Sequence, residues 1–398
     1  MLEKLFSRTL SRYTSSPHAA DLDAFATAVA AFGYRGRLVE KHVRRLQFVL
    51  ADAALPTGFM IGVDALRAAF APWPRKCYVG TRRLFERYLR DCGRLGPSAP
   101  CEPRFALKEQ YFRRLVELRG LAPATITYDN WALTDFLGRV LQPHETPSSL
   151  TRERIDEFFR QRGPQLARRT FRHAVHTVRK FLRYAFDTGA LSRPLHEFEL
   201  PKAFSFEQPP RALSAQHVRH LLASIDCNTR IGRRDHAMLH LMAGYGLRPG
   251  EVAALKRSSI DWQAGTLRVD QSKTRSVLIL PLALGSLELL RQYIDGASTP
   301  SGDELFGTAW APCGPISAPA VSVRFKVHAR RSGLPMTDAS AYCLRHSFAM
   351  GLLRSGVGMK LIGDLLGHRS LASTSAYLRI QTDMLREVAL DVSVGGAA

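Results

Sequence analysis

Five residues spread over the C-terminal half of this 398-residue sequence could act together on one phosphate ester: Arg248, Lys273, Arg345, His368 and Tyr377. A phosphodiester resists attack because its oxygens are already negative. Catalysis on it is therefore a matter of positioning and of cancelling the charge that develops during transfer. A guanidinium suits that task, since it offers two parallel N–H donors and stays ionised. Arg248 sits in Gly246-Leu247-Arg248-Pro249-Gly250-Glu251, where Pro249 marks a helix start and Glu251 can steady the guanidinium. A tyrosine hydroxyl, with an ordinary pKa of about 10, is a poor nucleophile unless cations favour the phenolate or a histidine takes its proton. Lys273, in an expected hairpin turn, is placed to protonate a leaving 5′-oxygen. Attack by Tyr377 would leave a phosphotyrosine ester at a DNA 3′ end. That ester keeps the energy of the broken bond, so another strand's hydroxyl could reseal it without ATP, and no metal or cofactor is called for.

Taken singly, each residue has a plainer reading. Tyr377 would be a half-buried aromatic, His368 a helix cap after Leu366-Gly367, Lys273 a solvated turn residue, and His346 a buried hydrogen-bonding neighbour of Arg345. Their order and spacing together carry the chemical reading.

The elements that must position these groups follow from periodicity. Thr266 to Leu282 alternates and is rich in β-formers on both sides of Ser272-Lys273-Thr274-Arg275, which predicts a hairpin. Helices are expected over Arg234 to Tyr245, Leu287 to Ile294, Ala320 to Ser332, a segment through Arg345 ending at Gly356, and Lys360 to Leu366. Further short helices are expected to carry Tyr377 and to run through Leu385 to Val388. The fold class is mainly α with a small antiparallel β-sheet in the C-terminal domain.

Upstream, Ile126, Leu133, Phe136, Leu137, Val140 and Leu141 recur at helical steps just after Pro123. A second helix, from about Arg168 to Phe186, has an apolar stripe of Phe171, Ala174, Val175, Val178, Leu182 and Ala185. Arg168, Arg169, Arg172, Arg179 and Arg183 fall largely on other faces. Like charges at four-residue spacing destabilise an isolated helix, a cost that an adjoining phosphate backbone would reverse. The helices expected in the first 95 residues, around Val39 to Leu50 and Leu84 to Leu89, loosely echo this pair. Gly93 to Pro103 and Pro201 to Pro210 read as linkers. They divide the chain into a helical segment over 1–95, a helical segment over 106–200, and a C-terminal domain over 212–392.

Lysine and arginine total 56 against 35 acids, a formal charge of +21, while hydrophobic content is 45%. Real cores and a strong polyanion preference are both implied, and double-stranded DNA is the expected partner. The six cysteines are scattered without CxxC pairs, as for free thiols in a reducing compartment. Neither a signal peptide nor a membrane-length apolar run is visible, so a cytoplasmic protein is expected.

The C-terminal half resembles the catalytic domain of the tyrosine recombinases, or phage-type integrases. Gly246 to Glu251 is similar to that family's first arginine box, Leu344 to Ala349 to its second, and Leu365 to Tyr377 to its third box with the nucleophile. The resemblance implies a site-specific recombinase that cuts and rejoins DNA through Tyr377, working as a homo- or hetero-tetramer on two duplexes. It also implies that 106–200 is a core-binding domain closing a clamp on DNA. One position departs: where the family has histidine three residues before the second arginine, this chain has Tyr342. A phenol can donate to a phosphate oxygen but accepts a proton poorly near pH 7, which shifts base duty toward His368. A type IB topoisomerase, a DNA-binding protein with a decayed site and a basic scaffold protein are the alternatives.

Overall fold

The computed structural model describes every residue except 54–57, 59, 98–101, 203–210, 272–275, 297–301, 310–312, 335–339, 368–373 and 375–398. The chain divides into two compact units: Leu2–Phe25 with His42–Glu207, and Gln208–Ala398 with Met1 and Ala26–Lys41. Helices dominate both, as the periodicity predicts, and no described helix is long and apolar enough to cross a membrane.

The N-terminal region carries α1 (Leu2–Leu5), α2 (Ser11–Thr14), α3 (Ala19–Ala31), α4 (Arg37–Asp52), α5 (Val63–Phe70) and α6 (Lys76–Asp91). Two-residue strands β1 (Ile61–Gly62) and β2 (Leu95–Gly96) pair in parallel, Ile61 opposite Leu95. This corrects the reading of Gly93 to Pro103 as a plain linker. Part of that stretch returns across α5 and α6 to make a non-local pairing, which leaves no local trace in the sequence.

His42 of α4 lies with its Nδ1 2.9 Å from the hydroxyl of fully buried Thr81 in α6, and that hydroxyl donates to the Cys77 carbonyl at 3.1 Å. Burial, with help from the Arg45 charge, pushes the pKa of His42 down to about 4. The native state therefore refuses a proton that the unfolded chain accepts below its ordinary value of 6.5. The resulting stability is complete above that value and is lost as pH falls toward 4. The loss should reach roughly 2 kcal/mol. Urea midpoints of the wild type and of His42→Gln at pH 7.5 and 5 should converge on acidification; parallel behaviour would refute the assignment.

The middle region comprises α7 (Pro103–Arg119), α8 (Pro123–Val140), α9 (Arg152–Arg162) and α10 (Arg168–Asp187). Proline opens α7 and α8 at their first positions, where its missing N–H costs nothing, and Gly120 closes α7 in the left-handed conformation. Thr151 caps α9 by accepting from the Arg154 N–H. Leu133, Phe136 and Leu137 of α8 pack with Val178, Phe181, Leu182 and Ala185 of α10 in one core. That core takes in Val178, Leu182 and Ala185 of the apolar stripe, while Arg168, Arg169, Arg172 and Arg183 of the same helix stay exposed.

The C-terminal region runs α11 (Ala215–Ala223), α12 (Arg230–Tyr245), α13 (Pro249–Ala254), then strands β3 (Ile260–Asp261), β4 (Thr266–Gln271) and β5 (Ser276–Pro281). The helices α14 (Leu284–Asp295), α15 (Ala318–Arg331), α16 (Tyr342–Arg354) and α17 (Met359–Leu365) follow. The sheet has order β3-β4-β5 and is antiparallel, with Thr266 opposite Pro281 and Gln271 opposite Ser276. Leu267 and Val269 point from β4 into a core shared with Leu241, Met242, Val252, Phe306, Phe325 and Leu344. Fully buried Asp235 of α12 accepts from Arg234, Arg324 and His328, a satisfied ion cluster that bolts α12 to α15.

Candidate active site

Three chain segments far apart in sequence meet at one carbonyl. The first is the turn between α12 and α13. Gly246 ends α12 at φ +66, and a side chain there would run into the Phe348 ring, so glycine is required twice over. Arg248 is the N-cap of α13 with extended backbone, Pro249 takes the first helical position and Glu251 the third. The Glu251 carboxylate accepts from the Arg248 backbone N–H at 2.8 Å and from the Arg248 guanidinium. Capping and side-chain positioning are thus done by one buried carboxylate.

The second segment is α16, which holds Arg345 at 4% exposure. One nitrogen of its fork donates to the Gly246 carbonyl at 2.7 Å and lies 3.9 Å from Glu251 Oε2; the other donates to the Leu366 carbonyl. The third segment is the end of α17. Arg248 Nη2 donates to the same Leu366 carbonyl at 3.2 Å and reaches the Gly367 carbonyl at 3.5 Å. Two guanidiniums therefore converge on a single oxygen, with one carboxylate offsetting part of their charge.

The structure brings Arg248, Glu251 and Arg345 together as the sequence predicts. His346 follows Arg345 and is half-buried; burial, and secondarily the Arg345 charge, lower its pKa, which keeps its imidazole neutral at physiological pH. Tyr342 opens α16 and is 47% exposed, in contrast to Arg345 one turn later. Lys273, His368 and Tyr377 lie outside the described residues. Their flanks do not: Gln271 and Ser276 face each other across the hairpin, Gly367 precedes His368, and buried Thr374 sets its hydroxyl over Gly363 of α17.

In the other unit, Arg168, Arg169, Arg172 and Arg183 of α10 are exposed and Arg179 is half-buried. Arg183 stands 4.0 Å from Asp187, the one acid ending the helix. The sequence reading missed exposed Lys180 on this helix and a ring ledge beside it. Tyr128 stacks on Trp131 at 5.9 Å and meets His173 at 4.3 Å, while His173 Nε2 is 2.8 Å from the buried Asp129 carboxylate. Aromatic residues at helical spacing look like core in a sequence, and only their exposure, 42% for Tyr128 and 38% for Trp131, says otherwise.

Residues 211–384 match the family model described as the phage integrase family. A putative integrase/recombinase of Sinorhizobium fredii, y4gC, is 38% identical over 186 residues, covering 46% of this chain and 96% of that protein. A second from the same organism, y4rA, is 30% identical over 286 residues, covering 71% of this chain and 69% of that protein. Among solved structures, a lambda integrase (residues 75–356) dimer bound to a core site has a similar fold. Its TM-score is 0.54 at 19% identity, over 68% of this chain and 94% of that one.

Proposed function

This chain belongs to the phage integrase family, the tyrosine recombinases, and from that premise we propose how its own residues carry out site-specific DNA recombination. Arg248 and Arg345 grip the scissile phosphate with their forks. Tyr377 attacks the phosphorus, and the P–O5′ bond breaks as the Lys273 ammonium gives its proton to the leaving oxygen. His368 takes the phenol proton, and Tyr342 donates a hydrogen bond to a phosphate oxygen. The 3′-phosphotyrosine ester is then resealed by the 5′-hydroxyl of a partner strand, with neither metal nor nucleotide consumed. Glu251 and His346 serve behind the contact groups.

The observation that carries this reading is the meeting of both arginines at the Leu366 carbonyl. Two cations, Arg345 buried and Arg248 half-buried, converge on the segment leading into His368, and such fixed positive charge is what a phosphate gaining charge in transfer requires. The basic outer face of α10, with Arg168, Arg169, Arg172, Arg179 and Arg183, supplies phosphate contacts for a clamp over 106–200. The region 212–392 is the catalytic domain, and 1–95 remains an accessory segment. A tetramer of recombinase protomers on two duplexes, in the cytoplasm, integrating or transposing a mobile element, is the setting that fits.

Nicked suicide duplexes made from the DNA flanking the gene test this reading. The full chain should become covalently linked to a subset of them in the presence of EDTA. Absence of any covalent complex, or a complex that needs divalent metal, would contradict it.

A further inference from the structure

Gln271 is the last residue of β4 and pairs with Ser276, the first of β5. It closes the ladder at the root of a hairpin whose connecting residues include Lys273. A strand-end glutamine beside a turn is ordinarily solvated, yet this one is 3% exposed. Its Oε1 accepts from the Ser276 hydroxyl at 3.1 Å. Its amide also lies against Gly367, so close that a Cβ added there would overlap it, and Gly367 has φ +58. Only glycine satisfies both the backbone and the contact. The carbonyl just before Gly367 is the one on which Arg248 and Arg345 converge.

We propose that Gln271 is a positioning residue for the reaction, anchoring the root of the β4–β5 hairpin to the Leu366–Gly367 turn and so setting where the Lys273 ammonium meets the leaving oxygen. The proposal rests on the recombinase reading above. A lysine at the end of a two-stranded ribbon is held only as well as the ribbon's root, and proton transfer demands heavy-atom distances near 3 Å. Gln271 joins that root to the turn the arginines hold, so the phosphate grip and the proton donor share one reference point. Strand cleavage then balances as before: the Tyr377 oxygen bonds to phosphorus as His368 takes the phenol proton, the P–O5′ electron pair goes to the 5′-oxygen, and that oxygen takes the lysine proton.

A leaving group that needs no proton isolates this role. Single-turnover cleavage would be measured on the duplex recovered by covalent capture, made once with the ordinary 5′-oxygen linkage and once with a 5′-bridging sulfur. Gln271→Ala is expected to slow the oxygen substrate by about a hundredfold and the sulfur substrate by no more than about threefold. Gln271→Glu keeps the shape and the Ser276 acceptor, guarding against a folding failure, and should slow the oxygen substrate by about tenfold while sparing the sulfur one. Full activity of both variants on the oxygen substrate, or equal slowing on both substrates, would overturn the assignment. A wild-type chain from which covalent capture recovers no duplex would instead refute the recombinase reading, and this role with it.

Discussion

Lysine in place of Arg345 is expected to cut strand cleavage by about a hundredfold or more while DNA affinity changes by only a few-fold. Arg345 is 4% exposed, and its two terminal nitrogens donate in different directions, to the Gly246 and Leu366 carbonyls. A lysine ammonium is a single point charge on a flexible stem. It can satisfy one of these carbonyls or follow a phosphate, but it cannot span both. The charge that supports general DNA binding survives, whereas the fork that would hold two phosphate oxygens does not. Gel shifts and single-turnover cleavage of the same nicked duplex separate the two effects. Cleavage at the wild-type rate would show that the fork has no part in the reaction.

The second large effect falls on stability. Glu251 is 6% exposed, accepts from the Arg248 backbone and guanidinium, and faces Arg345 at 3.9 Å. Glu251→Ala leaves two guanidiniums side by side without their anion and strips the cap from α13. Breaking a buried charge arrangement in this way costs about 3–5 kcal/mol. Glu251→Gln also removes the anion but keeps one oxygen that can accept from the Arg248 backbone N–H, so it should be less damaging than alanine by about 1 kcal/mol, the worth of that retained bond. Chemical denaturation followed by tryptophan fluorescence, with Trp262 reporting from the same unit, distinguishes the two variants. An alanine variant as stable as the wild type would mean that the arginines are held by their carbonyl contacts alone.

The meeting of Arg248, Glu251 and Arg345 was legible because their residue types are chemically narrow. An arginine before a Pro-Gly-Glu helix start, and another 21 residues ahead of Leu366-Gly367-His368, have few other reasons to recur in that order. The hairpin was legible from alternation in Thr266 to Leu282, and α10 from its apolar stripe. Gln271 was not legible, because its burial depends on Gly367, which only the folded chain lays against it. The β1–β2 pairing escaped for the same reason: Leu95 and Gly96 are ordinary loop residues until Ile61 and Gly62 lie alongside. The ring ledge of Tyr128, Trp131 and His173 needed the exposure of each ring, a property of packing against the core, not of spacing. The departure of Tyr342 from the family pattern is visible in the sequence, whereas its half-exposed place at the start of α16 is not.

Mass mapping of the DNA-linked peptide tests most directly whether the two arginine forks and one phenol serve a single phosphate. The covalent complex would be trapped on a nicked duplex, digested with nuclease and protease, and the residue bearing the nucleotide remnant identified. The remnant is expected on Tyr377, joined through a 3′-phosphate. A remnant on Tyr342, on a serine, or on a 5′-phosphate would contradict that arrangement.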